Sequence, residues 1–167
     1  MNRSALRLLF GLTVIAATGY VYMTCAALPD PLASHFGFDG HADTRMPRDS
    51  YRALMTGVTL VIPLGVVLLQ VWLPRVFVRS INIPRRDYWL ATAERRARTL
   101  DYLESHALVT GLVPPVFFAA IQRLIVDANT RMPPQLDNQW FYVLAGAFVV
   151  CMVLAGLTLV VHFRRAE

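Results

Sequence analysis

Apolar residues in this chain fall in long unbroken runs, not in the alternating or one-face patterns of a soluble domain. The runs 8–28, 53–74 and 140–161 carry no charge, and a fourth, 107–126, is interrupted only by Gln122 and Arg123. A helix needs about 20 predominantly apolar residues to cross a bilayer core. Each run therefore predicts a spanning helix, the third less cleanly than the others. Pro114 and Pro115 lie inside that third run and are expected to kink or break it. The predicted fold class is all-α. Residues 1–167 form a single membrane domain, a four-transmembrane-helix bundle with spans at 8–28, 53–74, 107–126 and 140–161. A compact extracytoplasmic loop at 29–52 and an Arg-rich cytoplasmic loop at 75–106 connect them. The first run is long for a cleaved signal segment, whose apolar stretch is typically about 7–15 residues, so a retained anchor is expected.

Composition agrees. The chain is 56% hydrophobic and only 16% charged, with a mean hydropathy of +0.46. Soluble domains carry about 25% charged residues. The net charge of +5 comes from sixteen basic residues, all of them Arg. Nucleic acid is not the expected partner, because the Arg residues sit at the ends of the apolar runs and in one loop. Arg3, Arg7, Arg75, Arg79, Arg85, Arg86, Arg95, Arg96, Arg98, Arg164 and Arg165 fall on one side of the predicted bundle. Arg45, Arg48, Arg52 and Arg131 fall on the other. The positive-inside rule then puts both termini in the cytoplasm of a multi-pass inner-membrane protein.

Two polar segments remain. Trp89, Ala93, Arg96, Leu100, Leu103 and Ala107 recur at helical spacing, which predicts a surface helix leading into the third span. Its Arg95, Arg96 and Arg98 are expected to face the lipid bilayer, the expected partner. Ala147, Cys151 and Ala155 make a small-residue stripe suited to close helix packing, within the chain or with a protein partner or second copy. Arg123 is placed to snorkel or to pair with Asp127 one turn on. The loop 29–52 is too rich in Gly and Pro for a long helix, and Asp39-Gly40 is a strong turn signal. Gly40 is expected at a backbone angle closed to other residues. The turn should bring His35 and Asp43 to one side, with Phe36 and Phe38 tucked onto the membrane surface. His35, Asp39, His41 and Asp43 have ligand chemistry but match no established metal spacing, so no metal is expected. Two cysteines in apolar runs imply neither a disulfide framework nor a metal site. No nucleophile stands at a recognisable spacing from a base, and no Gly-rich phosphate loop occurs, so neither catalysis nor a cofactor is expected.

Leu28-Pro29, His35-Phe36, Gly40, Asp43 and Arg45 together resemble the domain of unknown function 1648 of bacterial membrane proteins. A second stretch is similar to a segment of uncharacterised members: Asn82-Ile83-Pro84, Asp87-Tyr88-Trp89-Leu90, Glu94-Arg95-Arg96 and Thr99-Leu100. The resemblance covers roughly the first two-thirds of the chain and implies a motif outside the membrane directly after the first helix. It extends distantly to the immunity protein against the sporulation-delaying toxin, a longer protein that binds a toxin and sequesters a repressor. What it implies here is a non-enzymatic sensing, immunity or accessory binding role, with His35, Phe36, Gly40 and Asp43 as the binding residues. The alternatives are a small transporter or channel subunit, suggested by the proline-broken third helix and Arg123, and a metalloenzyme built on His35 and His41.

Overall fold

The computed structural model describes residues 2–78 and 81–165. Arg79 of the basic set lies outside the described residues. Helix α1 is Arg3–Thr24, extended by a 3-10 turn at Cys25–Ala27. Strands β1, Leu32–Phe36, and β2, Ala42–Met46, pair as an antiparallel hairpin. Helix α2 is Arg48–Val76, α3 the short Arg86–Leu90, α4 Ala93–Thr110, α5 Val113–Asn129 and α6 Asn138–Arg164. Four helical segments are long and apolar enough to cross a membrane: Arg3–Ala27, Arg48–Val76, Ala93–Asn129 and Asn138–Arg164. The four expected runs fall on these four segments, Leu28 alone lying just past the first, and each segment is longer than its run.

The exception to the all-α expectation is the hairpin. Its strands lack the β-branched alternation that marks a strand. Their register is irregular around His35, with Ala33 opposite Arg45, His35 opposite Thr44 and Phe36 opposite Ala42. Such bulges disturb the period of two by which a half-buried strand is recognised.

The expected break in the third span also moves. Gly111 and Leu112 separate α4 from α5, so Pro114 and Pro115 stand in the first turn of α5 rather than mid-helix. Their missing N–H groups cost nothing there, because first-turn donors have no intrahelical acceptor. A Cβ on Gly111 would collide with Val67 on α2 and with the carbonyl of Ala107, and would lie 3.1 Å from Phe10 on α1. The break is thus packed directly against α1 and α2. The surface helix expected from Trp89 to Ala107 is two pieces. Thr92 caps α4 by accepting from the Arg95 N–H at 3.2 Å, which leaves Trp89 on α3. Trp89 packs inward, its Nε1 donating to the Phe163 carbonyl at 2.9 Å.

Packing concentrates at three levels. At the hairpin end Val21, Cys25, Leu28, Leu32, Tyr51 and Ile125 form one cluster. Leu6, Phe10, Val14, Val67 and Leu108 form a second, and Ile81, Ile83 and Phe163 a third at the opposite end. A buried charge fixes that opposite end. Glu104 on α4 has a side chain only 3% exposed. Its Oε1 accepts from Arg7 Nε of α1 at 2.7 Å, and its Oε2 accepts from Arg75 of α2. Arg3 and Asp101 pair beside it. Removing one member of a buried ion pair leaves a charge uncompensated and costs about 3–5 kcal/mol.

Glu104→Gln should lower the stability of the detergent-solubilised protein by about 1.5 kcal/mol, less than that range because it removes the buried charge and leaves two Arg side chains that water reaches. Thermal unfolding beside the wild type measures it, and an unchanged midpoint would show that the triad contributes nothing.

Candidate functional site

Two asparagines hang the hairpin on the helices. Asn129, the last residue of α5, behaves as a partner strand for Ala33. Its Oδ1 accepts the Ala33 N–H at 2.8 Å, and its Nδ2 donates to the Ala33 carbonyl at 3.0 Å and to the Ile125 carbonyl at 2.9 Å. Asn138, the first residue of α6, donates from Nδ2 to the Phe38 carbonyl at 2.6 Å. The Leu136 N–H donates to the Gly40 carbonyl at 2.8 Å, and His41 bridges to Gln135. At the base of the hairpin the Arg48 N–H donates to Asp30 Oδ1 at 3.1 Å. Leu32 and Ala33 are buried by these ties, so β1 belongs to the core cluster at this end.

The turn follows its residue chemistry. Asp39 Oδ1 accepts the His41 N–H at 3.0 Å, and the Gly40 N–H donates to the Gly37 carbonyl at 2.9 Å. Gly40 has φ +82°, and a Cβ there would stand 2.7 Å from the Leu136 carbonyl oxygen. The position is closed to other residues both by backbone angle and by space.

Beyond the turn the strands carry His35 and Asp43 to the same face, with His35 Nδ1 and Asp43 Oδ1 2.6 Å apart. The hydrogen bond from His35 holds the Asp43 carboxyl below its ordinary value of 3.8. Beneath this pair lies a cleft of about 530 Å³ between the hairpin and α5 and α6. Ile121, Leu124, Ile125, Leu136, Phe141 and Tyr142 supply its apolar wall; Ser34, His35, Asp43 and Asn138 supply its polar one. Phe36 and Phe38 also line it, but in different ways: Phe36 is half-buried against the core, whereas Phe38 is 96% exposed at the hairpin tip.

The expected binding residues therefore divide. His35, Phe36 and Asp43 meet at the cleft, while Gly40 shapes the turn that presents them. Asp39 and His41 are engaged in that turn, and among the described residues no three His, Cys, Asp or Glu side chains gather as a metal site. Arg95, Arg96 and Arg98 stand at the opposite end of the bundle. Arg95 lies 4.1 Å over the Tyr88 ring, Arg98 pairs with Glu94 at 2.6 Å, and Arg96 is exposed. Arg123 pairs with Asp127 at 3.0 Å, one of its two expected roles. Ala147 and Cys151 of the small-residue stripe line an apolar groove against α5, and the Ala155 carbonyl accepts from His106 Nε2 at 2.9 Å.

No family model, curated protein or solved structure matches the chain. The site must be read from its own chemistry.

Asn129, Asn138 and the α6 aromatics were not anticipated as parts of the site. One signal pointed to Asn129. It lies seven residues after Gln122, which puts both on one face of α5. Gln122 is fully buried and accepts from the Tyr51 hydroxyl at 2.9 Å while donating to Thr24 Oγ1 at 3.0 Å.

Gly40→Val should release the hairpin from the α5–α6 connection, at a cost of about 1–3 kcal/mol for the backbone angle alone. Limited proteolysis should then cut residues 37–42 faster than in the wild type while the helices stay protected; equal rates would show that the hairpin has no fold of its own. The Asp43 pairing has a defined pH window. Because the folded carboxyl titrates below its unfolded value, its contribution is complete above that value and is lost as pH falls through the folded one. The carbon resonance of the Asp43 carboxyl should titrate below 3.8 in the wild type and move back up in His35→Ala; an unmoved midpoint would remove His35 as the cause.

Proposed function

We propose that this chain is a multi-pass membrane protein with a non-enzymatic sensing, immunity or accessory binding role, exercised by the cleft beneath its hairpin. The observation that carries this reading is the cleft itself. It joins an apolar wall from α5 and α6 to a polar edge in which Asp43 fixes His35, the combination by which ligand sites hold and orient small molecules. The resemblance to the domain of unknown function 1648 supports it, because the motif residues His35, Phe36 and Asp43 are those that border the cleft.

On this reading the hairpin end faces outward. The Arg distribution supports that orientation, since the end carrying Arg3, Arg7, Arg75, Arg95, Arg96 and Arg98 is the more basic one. Arg96 and Arg98 would then reach anionic headgroups of the cytoplasmic leaflet, each contributing about 1 kcal/mol. The transporter reading draws on broken helices that line a water-filled path. The break at Gly111 is filled by Val67 and Phe10, which does not favour it.

The test has two arms. With the exposed Cys151 replaced by Ser, Phe38→Cys should react with a membrane-impermeant maleimide on intact cells, and Arg96→Cys only after permeabilisation. The reverse pattern would overturn the orientation. In the second arm, hydrogen exchange over residues 34–46 is compared in native membranes and after delipidation in detergent. An occupied cleft should slow exchange in native membranes, and Ile121→Trp, which fills the cleft, should abolish the difference. If wild type and variant respond alike to delipidation, the cleft holds no ligand and the binding role fails.

A further inference from the structure

We infer that the cleft recognises an ammonium group carried by an amphiphile of the leaflet that surrounds the hairpin end. The inference rests on the binding role proposed above and adds the chemical class of the ligand. Depth is the first argument. Ile121 and Leu124 lie eight and five residues before the end of α5, and so roughly 12 and 8 Å below it along the axis at a 1.5 Å rise per residue. Phe141 and Tyr142 lie in the first turns of α6. The apolar wall thus reaches down the flank of the bundle, while the polar residues Ser34, His35, Asp43 and Asn138 stay at its upper edge. A ligand that satisfies both needs an apolar body along the helices and a polar head at the hairpin.

Charge decides the head. Among the described residues, Asp43 is the only acidic one lining the cleft, and no Arg lines it. A phosphate or sulfate head would meet a carboxylate with no guanidinium beside it, and the one basic side chain in the lining, His35, is already engaged by that carboxylate. Aromatic character gives the same answer. Phe36, Phe38, Phe141 and Tyr142 all line the cleft. A carboxylate and aromatic rings lining one cleft supply the chemistry that holds ammonium ions, the ring faces attracting the cation and the carboxylate neutralising it. His35 fits as the positioning residue, because its bond to Asp43 Oδ1 fixes the carboxylate at the cleft edge. The exposure of Phe38 fits as well. A 96% exposed phenylalanine at a hairpin tip packs against nothing inside the protein, and it is placed to close over a headgroup.

The experiment uses the full chain in nanodiscs of phosphatidylglycerol, a lipid without an ammonium group. Labelled dodecyltrimethylammonium is titrated in, and uptake by empty nanodiscs is subtracted. A saturable component should appear, should vanish in Ile121→Trp, and should weaken about tenfold in Asp43→Asn, equivalent to about 1.4 kcal/mol. Asparagine can still accept from His35, and hairpin protease resistance checks that this variant folds. Phe38→Ala, at a side chain with no inward packing, gives an independent arm and should weaken binding several-fold. Neither dodecyl sulfate nor dodecyl maltoside should compete. Phosphatidylethanolamine in the nanodisc should compete if the natural source is a lipid headgroup, and should not if it is a free amphiphile. A saturable site that takes dodecyl sulfate or dodecyl maltoside equally well, or that ignores both Asp43→Asn and Phe38→Ala, overturns the ammonium assignment and leaves the cleft a binding site. If no amphiphile gives a saturable component and hydrogen exchange is also blind to Ile121→Trp, both readings fall.

Discussion

A large polar side chain buried among apolar helices needs a partner there, and in this bundle Glu104 and Gln122 find theirs on neighbouring helices, pairings that set the alignment of everything else. Glu104 binds Arg7 and Arg75 and so joins α4 to α1 and α2 at one end. Gln122 joins α5 to α2 through Tyr51 and to α1 through Thr24 toward the other end. Between them the contacts are apolar, and apolar contacts alone allow helices in a lipid-like environment to slide and rotate at little cost. Two polar ties at different heights along the same pair of neighbours remove that freedom. A neutral interhelical hydrogen bond of the kind Gln122 makes is worth only about 0.6 kcal/mol on average between membrane-type helices, less than the charged bonds of Glu104. Both ties also fix register, since any shift would leave a buried group without its partner.

The cleft inherits its geometry from that alignment. Asn129 continues the polar face of α5 one step past Gln122, and it receives β1 as a strand would, through both the N–H and the carbonyl of Ala33. The hairpin is thus docked against a helix already fixed in height and rotation. Asn138 then takes the Phe38 carbonyl from the far side. Held at both ends, the hairpin can present His35 and Asp43 above the apolar wall without burying either.

Much of this was legible in the sequence, and what was not has physical reasons. The four apolar runs announce themselves because helices long and apolar enough to cross a membrane have no polar face to dilute the signal. Gly40 was legible because one backbone angle excludes side chains, and the pairing of His35 with Asp43 followed from the turn. The hairpin strands were not legible. They are short, polar and bulged, and they are held by side chains far along the chain that no local pattern connects to them. The Glu104 triad was hidden for a similar reason. Arg7 and Arg75 read as boundary charges, and nothing near Glu104 in sequence says that two helix ends converge on it. Pro114 and Pro115 gave the right signal at the wrong address, because proline starts a helix as readily as it breaks one.

Helix α6 is held chiefly at its ends. Phe163 is its one buried residue, locked among Ile81, Ile83 and the Trp89 ring, and Asn138 ties the other end to the hairpin. Along the length between, Phe148 touches Phe117, but no residue is buried. The consequence concerns inheritance. Most positions between those ends ask only for an apolar side chain of any shape, so drift should rewrite the middle of α6 freely while the two ends stay fixed. In a set of descendants of this chain, the last helix would look the least related part of the protein and yet end, each time, on the same aromatic residue.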